Sequence, residues 1–315
     1  MESNNTAIRS ALATTGKRHI VTTQVEHASI LALCQQLATE GVRITHLPVN
    51  TNGSLALSDL AAVVTPETAI VTIMMANNET GALFPIKEAS QSCQKQGVLF
   101  HTDTAQAADK IPLDVTALDV DFCSLSAHKL HGLKGTGALY IKGRTQFSPL
   151  LRGGHQEKGC RGGTKNIPGL VAFGKAAELA AAHLADNLMV EQLRNQLEQG
   201  ILENIPGAHR NGGREPRLPN TTNLRFDQID AQTLLQQLSD QELYASSGSA
   251  CTTGATTPSH VLLALGLTPT QARSAIRLSL SRFTTPQQVE QAIHILKHPL
   301  QRLRPNTGSH SLAVA

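Results

Sequence analysis

Short apolar, β-branched runs alternate with stretches of helical periodicity over the first half of the chain. The apolar runs lie at residues 19–23, 42–47, 69–74, 97–101, 120–125 and 135–141. The helical stretches lie at residues 29–39, 57–63 and 85–96. This alternation is typical of a mostly parallel sheet with helices on both faces, so the sequence predicts an α/β fold.

The second half of the chain opens with a different pattern. A glycine-rich, charged stretch at residues 152–164 has no periodicity and predicts a long loop. Residues 166–205 then predict a long helical region that ends before Pro206. Apolar residues at a spacing of four mark one face of this region: Met189, Leu193, Leu197 and Ile201. We place a domain boundary within it, between a large domain at residues 1–185 and a smaller one at 186–315.

The remaining residues predict that the smaller domain is also α/β. Strands are expected at residues 222–226 and 275–280, and helices at residues 230–238, after Pro258 and at residues 286–303. Thr257 is expected to be the N-cap of the helix that begins at Pro258. The loop before this helix contains Cys251.

Composition and charge narrow the classes of function. Against 24 Asp and Glu, the 315 residues contain 27 Lys and Arg, and this net charge of +3 is too small to indicate a nucleic-acid or membrane surface. With 3% aromatic residues and no Trp, base-stacking platforms are not expected. Since no apolar run could span a bilayer and the start is no secretory leader, we expect a cytoplasmic protein that binds neither membrane nor nucleic acid.

The five cysteines include no CxxC pair, which argues against a disulfide framework and against a metal cluster. Free thiols in a reducing compartment are the interpretation that follows. Cys34, Cys93 and Cys123 lie in apolar patterns and are expected to be small core residues. Cys160 lies in the glycine-rich loop, and the sequence assigns it no role.

Polar and titratable residues follow four of the predicted strands. The segments are VEHAS at residues 25–29, ANNETG at 76–81, FHTDTAQ at 100–106 and SLSAHK at 124–129. Taken singly, Asp103 and Asn78 fit turn-forming roles, His27 fits a packing role, and Lys129 fits a surface role. Their joint position at successive strand ends favours a ligand site, because ligands of parallel α/β sheets bind at the carboxyl ends of the strands.

Two further segments complete the set, SSGSACTTG at residues 246–254 and SAIRLSLSRFTT at residues 274–285. In this order and spacing, the six segments resemble those of the cysteine desulfurases in the aminotransferase class V superfamily. The resemblance covers nearly the whole chain. It implies a fold type I enzyme dependent on pyridoxal phosphate, with a mostly parallel large domain and a smaller C-terminal α/β domain that carries the cysteine loop.

The resemblance also implies roles for the residues that would hold the cofactor. Lys129 would attach it covalently, Asp103 would face its pyridinium nitrogen, and His27 would lie over its ring and help to move protons. Further cofactor contacts are implied at Gln106, Asn78, Ser126, His128 and Thr164. Thr164 matches a position that reaches the phosphate of the partner subunit, which implies a homodimer with shared sites.

For the substrate, the resemblance implies that L-cysteine is converted to L-alanine. Arg277, with Asn78, would bind the substrate carboxylate, and Lys129 would remove the Cα proton. The thiolate of Cys251 would take the sulfur as a persulfide. An acceptor would then receive it, such as an iron–sulfur scaffold protein or a protein of thio-cofactor synthesis.

The start of the chain departs from the family pattern. Desulfurases of this kind carry several dozen preceding residues and a Gly-Ala-Thr turn directly before the Glu-Ser seen here as Glu2 and Ser3. Met1 stands where the threonine would be, so we expect a fragment or a start placed too late; the other interpretation is a shortened protein that binds the cofactor poorly. Two alternatives stay open at this point: a lyase acting on selenocysteine or cysteine sulfinate, and a non-catalytic fragment that binds a partner.

Overall fold

The computed structural model describes residues 1–213, 216–248 and 257–303. The predicted nucleophile Cys251 therefore lies outside the described residues. Two β-sheets organise the part of the chain that is described, one formed by strands from the first half and one by strands from the second half.

The first sheet has the strand order β2-β1-β3-β4-β5-β6. Its strands are β1 (His19–Thr23), β2 (Arg43–Leu47), β3 (Thr68–Thr72), β4 (Leu99–Asp103), β5 (Phe122–Ser126) and β6 (Gly137–Ile141). All neighbouring strands pair in parallel except β6, which pairs antiparallel with β5. The predicted mostly parallel α/β sheet is confirmed, and each strand begins and ends within two residues of its predicted bounds.

Helices cover both faces of this sheet, as the continuous apolar strands predict. They are α1 (Glu2–Thr15), α2 (Ala28–Thr39), α3 (Leu57–Val63), α4 (Ile86–Gln94) and the short α5 (Val115–Leu118). Successive strand residues enter opposite cores: Ile20 packs with Ile8 of α1, whereas the next residue, Val21, packs with Ile86 of α4. Every residue of β1 and β3 is buried for this reason.

The second sheet is antiparallel and has the strand order β7-β8-β9. Its strands are β7 (Ala208–Arg210), β8 (Thr221–Phe226) and β9 (Ala275–Ser279). The helices of this half are α6 (Ile167–Ala182), α7 (Asn187–Asn204), α8 (Ala231–Ser239), α9 (His260–Ala264), α10 (Pro269–Arg273) and α11 (Pro286–Leu303). Because Leu218, Val261 and Leu265 also pack into the core of the first sheet, the division at residue 185 stays a prediction.

The predicted long helical region is two helices, α6 and α7, separated by a short 3-10 turn at Leu184–Asp186. Leu193, Leu197 and Ile201 are buried as predicted, but Met189 is 57% exposed and Val190 takes its place in the core. Met189 is exposed because the predicted spacing of four is longer than one helical turn of 3.6 residues. Each step of four residues therefore moves the side chain about 40° around the helix, and Met189 falls outside the buried face.

The start of α9 also differs from the prediction. Ser259, not Thr257, is the N-cap, and its Oγ accepts a hydrogen bond of 3.2 Å from the Leu262 amide. Pro258 therefore lies before the helix rather than at its first position. The serine hydroxyl has a second partner in the first half of the chain, the Glu79 carboxylate, which fixes the cap at this residue.

The described part of the chain contains no helix that is both long and apolar enough to cross a bilayer. Within the same residues, no group of three or more His, Cys, Asp and Glu side chains is arranged to hold a metal ion.

Ile201→Ala is expected to lower the free energy of unfolding by about 2–5 kcal/mol, because it leaves a cavity where α7 packs in the core of the second half. Met189→Ala, on the same helix but exposed, is the matched control and should change it by no more than about 0.5 kcal/mol. Urea unfolding followed by circular dichroism measures both. Equal losses for the two variants would contradict the assigned face of α7.

Candidate active site

Three predicted site residues lie just beyond strands of the first sheet. Asp103 is the last residue of β4, Lys129 lies in a 3-10 turn directly after β5, and His27 is the N-cap of α2, four residues after β1. Because β1, β4 and β5 run parallel, their carboxyl ends meet at one edge of the sheet. Burial lowers the pKa of His27. The Asp103 carboxylate opposes this shift and the Lys129 ammonium adds to it, so the charges of both residues act on the His27 ring.

Two donors fix the carboxylate of Asp103. Its Oδ1 accepts a hydrogen bond of 2.9 Å from the Ala105 amide, and its Oδ2 accepts one of 2.7 Å from Asn4 Nδ2. Asn4 belongs to the first turn of α1 and is only 2% exposed. Sequence analysis missed Asn4, since nothing in the sequence indicates which strand end α1 would meet.

His27 is held by Ser29. Its Nδ1 accepts a hydrogen bond of 3.1 Å from the Ser29 amide and lies 2.9 Å from the Ser29 hydroxyl. An Nδ1 that accepts from an amide carries no proton, so the neutral ring has its proton on Nε2. The Ser29 hydroxyl also accepts from Asn4 Nδ2 at 3.0 Å, which joins His27 to Asp103 through two side chains.

Behind the site, His101 links three strands. Its Nδ1 lies 2.8 Å from the Thr72 hydroxyl of β3 and its Nε2 lies 2.8 Å from the Ser124 hydroxyl of β5. Burial lowers the pKa of His101 to about 4, so the ring is neutral at physiological pH. His101 precedes Asp103 by two residues on β4 and thus holds the strand that positions it. Nothing in the sequence around His101 indicates this role.

Three predicted site residues lie at the end of β5 or directly after it, Ser126, His128 and Lys129. Ser126 Oγ lies 2.9 Å from His128 Nδ1, and burial together with Lys129 and Lys134 lowers the pKa of His128. Lys129 is half-buried and lines a cleft with Lys110. Asn220 lines the same cleft, so Lys129 lies beside residues of both halves of the chain. Gln106 is half-buried in the turn that follows Asp103.

Arg277 of β9 brings the second sheet to this edge. Its Nη1 donates a hydrogen bond of 2.8 Å to the main-chain oxygen of Asn78, in the loop after β3. Asn77, rather than Asn78, forms the turn of that loop: its Oδ1 accepts from the amides of Glu79 and Thr80, both at 2.9 Å. The structure therefore brings Arg277 and the main chain of Asn78 together, and their role in binding the substrate carboxylate stays a prediction.

Of the remaining predicted residues, Cys251 lies outside the residues that the structure describes. Thr164 is exposed in the loop before α6. Cys34, Cys93 and Cys123 are buried, as predicted, and burial raises the pKa of each thiol, to about 12, 12 and 11. Cys160 is exposed.

These residues fit pyridoxal phosphate. Asp103 keeps lone pairs for a protonated ring nitrogen while its two donors hold it in place. The amides of the first turn of α1 lie at a helix N-terminus, the kind of group that binds a phosphate. Asn4 and Asn5 of this turn donate to the hydroxyl and to the main-chain oxygen of Ser29, at 3.0 and 3.4 Å, which places the turn beside His27. Oδ1 of Asn4 is buried and has no hydrogen-bond partner among the described residues, so a polar group can still bind there.

Comparison with solved structures places the fold. A NifS-like protein superimposes with a TM-score of 0.89 at 35% identity, covering 96% of this chain and 80% of that chain. A structure of SspA in complex with cysteine gives a TM-score of 0.76 at 34% identity, covering 90% and 80%. The fold is that of the fold type I enzymes that depend on pyridoxal phosphate.

The sequence comparisons define the family. The aminotransferase class-V model matches residues 1–292, and the chain belongs to this family. It is 48% identical over 305 residues to a cysteine desulfurase of Nostoc sp., covering 96% of this chain and 76% of that relative. The resemblance to the cysteine desulfurases, and with it the expected cofactor, is thereby confirmed.

A buried carboxyl group lies next to this site in Glu26, which sequence analysis did not single out. Its Oε1 accepts from the Thr23 hydroxyl at 2.8 Å and from the Met74 amide at 2.9 Å, while Oε2 has no hydrogen-bond partner among the described residues. Burial raises the pKa of Glu26 to about 8 from an ordinary 4.5, and the charge of Asp103 adds to the shift. Glu26 is thus protonated at neutral pH in the folded protein.

Glu26→Gln is expected to change how stability depends on pH. Between pH 4.5 and 8 the unfolded wild-type chain loses this proton while the folded protein keeps it, so wild-type stability falls as pH rises. The advantage of the variant should therefore grow from pH 5 to 8, by at most about 1.4 kcal/mol per pH unit, and level off above. Urea unfolding of both proteins across this range measures it, and a pH-independent difference would refute the assignment.

Proposed function

We propose that this chain converts L-cysteine to L-alanine and transfers the sulfur to Cys251 as a persulfide. The observation that carries this proposal is the position of Arg277. Its Nη1 donates to the main-chain oxygen of Asn78 at 2.8 Å and approaches that of Gly248 at 3.5 Å. A cation suited to a substrate carboxylate thus lies beside the strand-end residues and beside the segment that leads to Cys251.

Pyridoxal phosphate, when bound, supplies an electron-withdrawing ring that stabilises negative charge at Cα. We assign its attachment to Lys129, the partner of its ring nitrogen to Asp103 and the group over its ring to His27. Gln106 and Asn78 are assigned to the ring oxygen. Ser126, His128 and the first-turn amides of α1 are assigned to the phosphate.

The residues of this chain then act in order. Arg277 binds the carboxylate of L-cysteine, and Lys129 Nζ takes the proton from Cα. The Cys251 thiolate attacks the substrate sulfur, so the Sγ–S bond forms while the substrate C–S bond breaks. The proton that Cys251 lost on forming its thiolate replaces the sulfur on Cβ, Lys129 returns the proton it took to Cα, and L-alanine leaves.

We also propose that two copies of the chain assemble with shared sites. Thr164 is exposed and directly precedes α6, so a second copy on this helix would bring its Thr164 near the first copy. Three apolar side chains near the start of α6 are exposed as well, Ile167 at 55%, Leu170 at 39% and Val171 at 68%. An apolar patch of this kind on a helix is typical of a protein interface.

The persulfide is proposed to pass to an iron–sulfur scaffold protein or to a protein of thio-cofactor synthesis. The described cysteines, Cys34, Cys93, Cys123 and Cys160, are free thiols. This state suits a reducing compartment and supports our proposal of a cytoplasmic location. We keep the proposed division into domains at residues 1–185 and 186–315.

Cys251→Ser is expected to lower L-alanine formation by at least about a hundredfold, because a hydroxyl is a far weaker nucleophile than a thiolate at neutral pH. The protein supplied with pyridoxal phosphate and L-cysteine is assayed for alanine by chromatography, with sulfur on cysteine read by mass spectrometry. Cys160→Ser, which removes another exposed thiol, is the matched control and should retain wild-type rates. Alanine release that survives Cys251→Ser would indicate a lyase instead.

Lys129→Ala is expected to abolish alanine formation and the visible absorbance that the wild-type protein acquires with pyridoxal phosphate, since the covalent attachment is lost. Lys87→Ala, an exposed lysine on α4, should change neither. Absorbance after gel filtration measures retention of the cofactor. Full retention of covalently bound cofactor by Lys129→Ala would show that another amine holds it.

A further inference from the structure

The carboxylate of Glu79 is buried beside the site, and the roles assigned above do not use it. Glu79 lies in the loop after β3, directly after Asn78, and it is 0% exposed. Its Oε2 accepts a hydrogen bond of 2.5 Å from the Ser259 hydroxyl. Its Oε1 is also buried and has no hydrogen-bond partner among the described residues. A buried carboxylate is costly without partners, so this placement requires a reason.

The two chain ends on either side of the Cys251 segment meet at this carboxylate. Gly248 precedes that segment with a φ of +44°, and a Cβ built on it would lie 2.9 Å from Glu79 Oε2 and 3.3 Å from Ser259 Cβ. Ser259 follows the segment and donates to the same oxygen. One side chain of the first half of the chain therefore hydrogen-bonds Ser259, after Cys251, and lies so close to Gly248, before Cys251, that a side chain there would collide with it.

Neighbouring contacts strengthen this junction. His260 lies with its Nε2 3.0 Å from the main-chain oxygen of Glu26, in the loop after β1. Asn223 of β8 donates to the main-chain oxygen of Glu79 at 3.2 Å. Burial raises the pKa of Glu79, while the Ser259 hydrogen bond and the charges of His260 and Arg277 oppose the shift. The chain that follows Cys251 is thus attached to loops at two strand ends.

We propose that Glu79 is a positioning residue for sulfur transfer, whose carboxylate fixes Gly248 and Ser259 and so sets the two attachment points of the segment that carries Cys251. This inference rests on the proposed function of Cys251 as the sulfur acceptor. Glu79 takes part in no bond making or breaking. Its effect is on where the Cys251 thiol is placed relative to the substrate sulfur. Reaction rates depend strongly on the placement of the reacting groups.

Glu79→Ala and Ser259→Ala are expected to lower kcat for alanine formation by about tenfold or more, with KM for L-cysteine within about twofold of wild type. Glu79→Gln should recover most of the rate, because the amide oxygen still accepts the Ser259 hydroxyl. The double variant Glu79→Ala with Ser259→Ala should be no slower than Glu79→Ala alone, since both changes remove one interaction. Glu88→Gln, an exposed carboxylate on α4, is the matched control.

A second readout needs no turnover. The rate at which iodoacetamide alkylates Cys251, followed by peptide mass spectrometry, should differ from wild type by about threefold or more in Glu79→Ala and Ser259→Ala, and not in Glu88→Gln. The alkylation rate of Cys160 in the same samples provides an internal reference, and thermal unfolding shows whether each variant is folded.

Two results would overturn the proposal. A raised KM with unchanged kcat would show that Glu79 acts through Arg277 on substrate binding. Wild-type kcat and wild-type alkylation rates in both alanine variants would show that Glu79 does not position the Cys251 segment. If the wild-type protein forms no alanine, the proposed function fails instead. The alkylation rates of Cys251 would still decide the role of Glu79 in that case.

Discussion

Parallel pairing of β1, β3, β4 and β5 is the constraint on which the site depends. It brings the carboxyl ends of these strands to one edge, where the loops that follow them carry polar side chains. Hydrogen bonds within the sheet reinforce this geometry, because His101 joins β3 to β5 directly behind Asp103. The apolar cores on both faces leave these strands little room to shift, so Asp103 and His27 are held by a framework that packing has already fixed.

The features that sequence could predict are those with a local cause. Alternation of apolar strands with helical stretches predicted the first sheet to within two residues, because strands such as β1 and β3 are buried on both faces and their apolar runs end close to where the polar loops begin. The expectation that His27, Asp103 and Lys129 lie near one another came from their positions at the carboxyl ends of strands in a mostly parallel sheet. The exposed position of Met189 shows the limit, since a spacing of four is not the helical period and the error grows along α7.

The features that sequence could not predict depend on contacts between distant parts of the chain. Asn4 and Asp103 are 99 residues apart, and Glu79 and Ser259 are 180 apart. The sequence near these residues does not reveal either pair. Asparagine and serine also occur as helix caps and turn formers, so their presence does not indicate a distant partner. The N-cap of α9 was misplaced for the same reason: Ser259 caps the helix while it donates to a carboxylate from the other half of the chain.

Charge is distributed unevenly around the site, and this distribution has a structural consequence. Burial keeps His101 neutral and Glu26 protonated near neutral pH, so the groups directly behind the site carry no charge. Asp103, in contrast, is only half-buried, and its two hydrogen bonds hold the carboxylate in place. Lys129 brings positive charge to the same edge of the sheet. With neutral groups behind them, Asp103 and Lys129 are the charged side chains placed to act on the group that binds in front of the sheet.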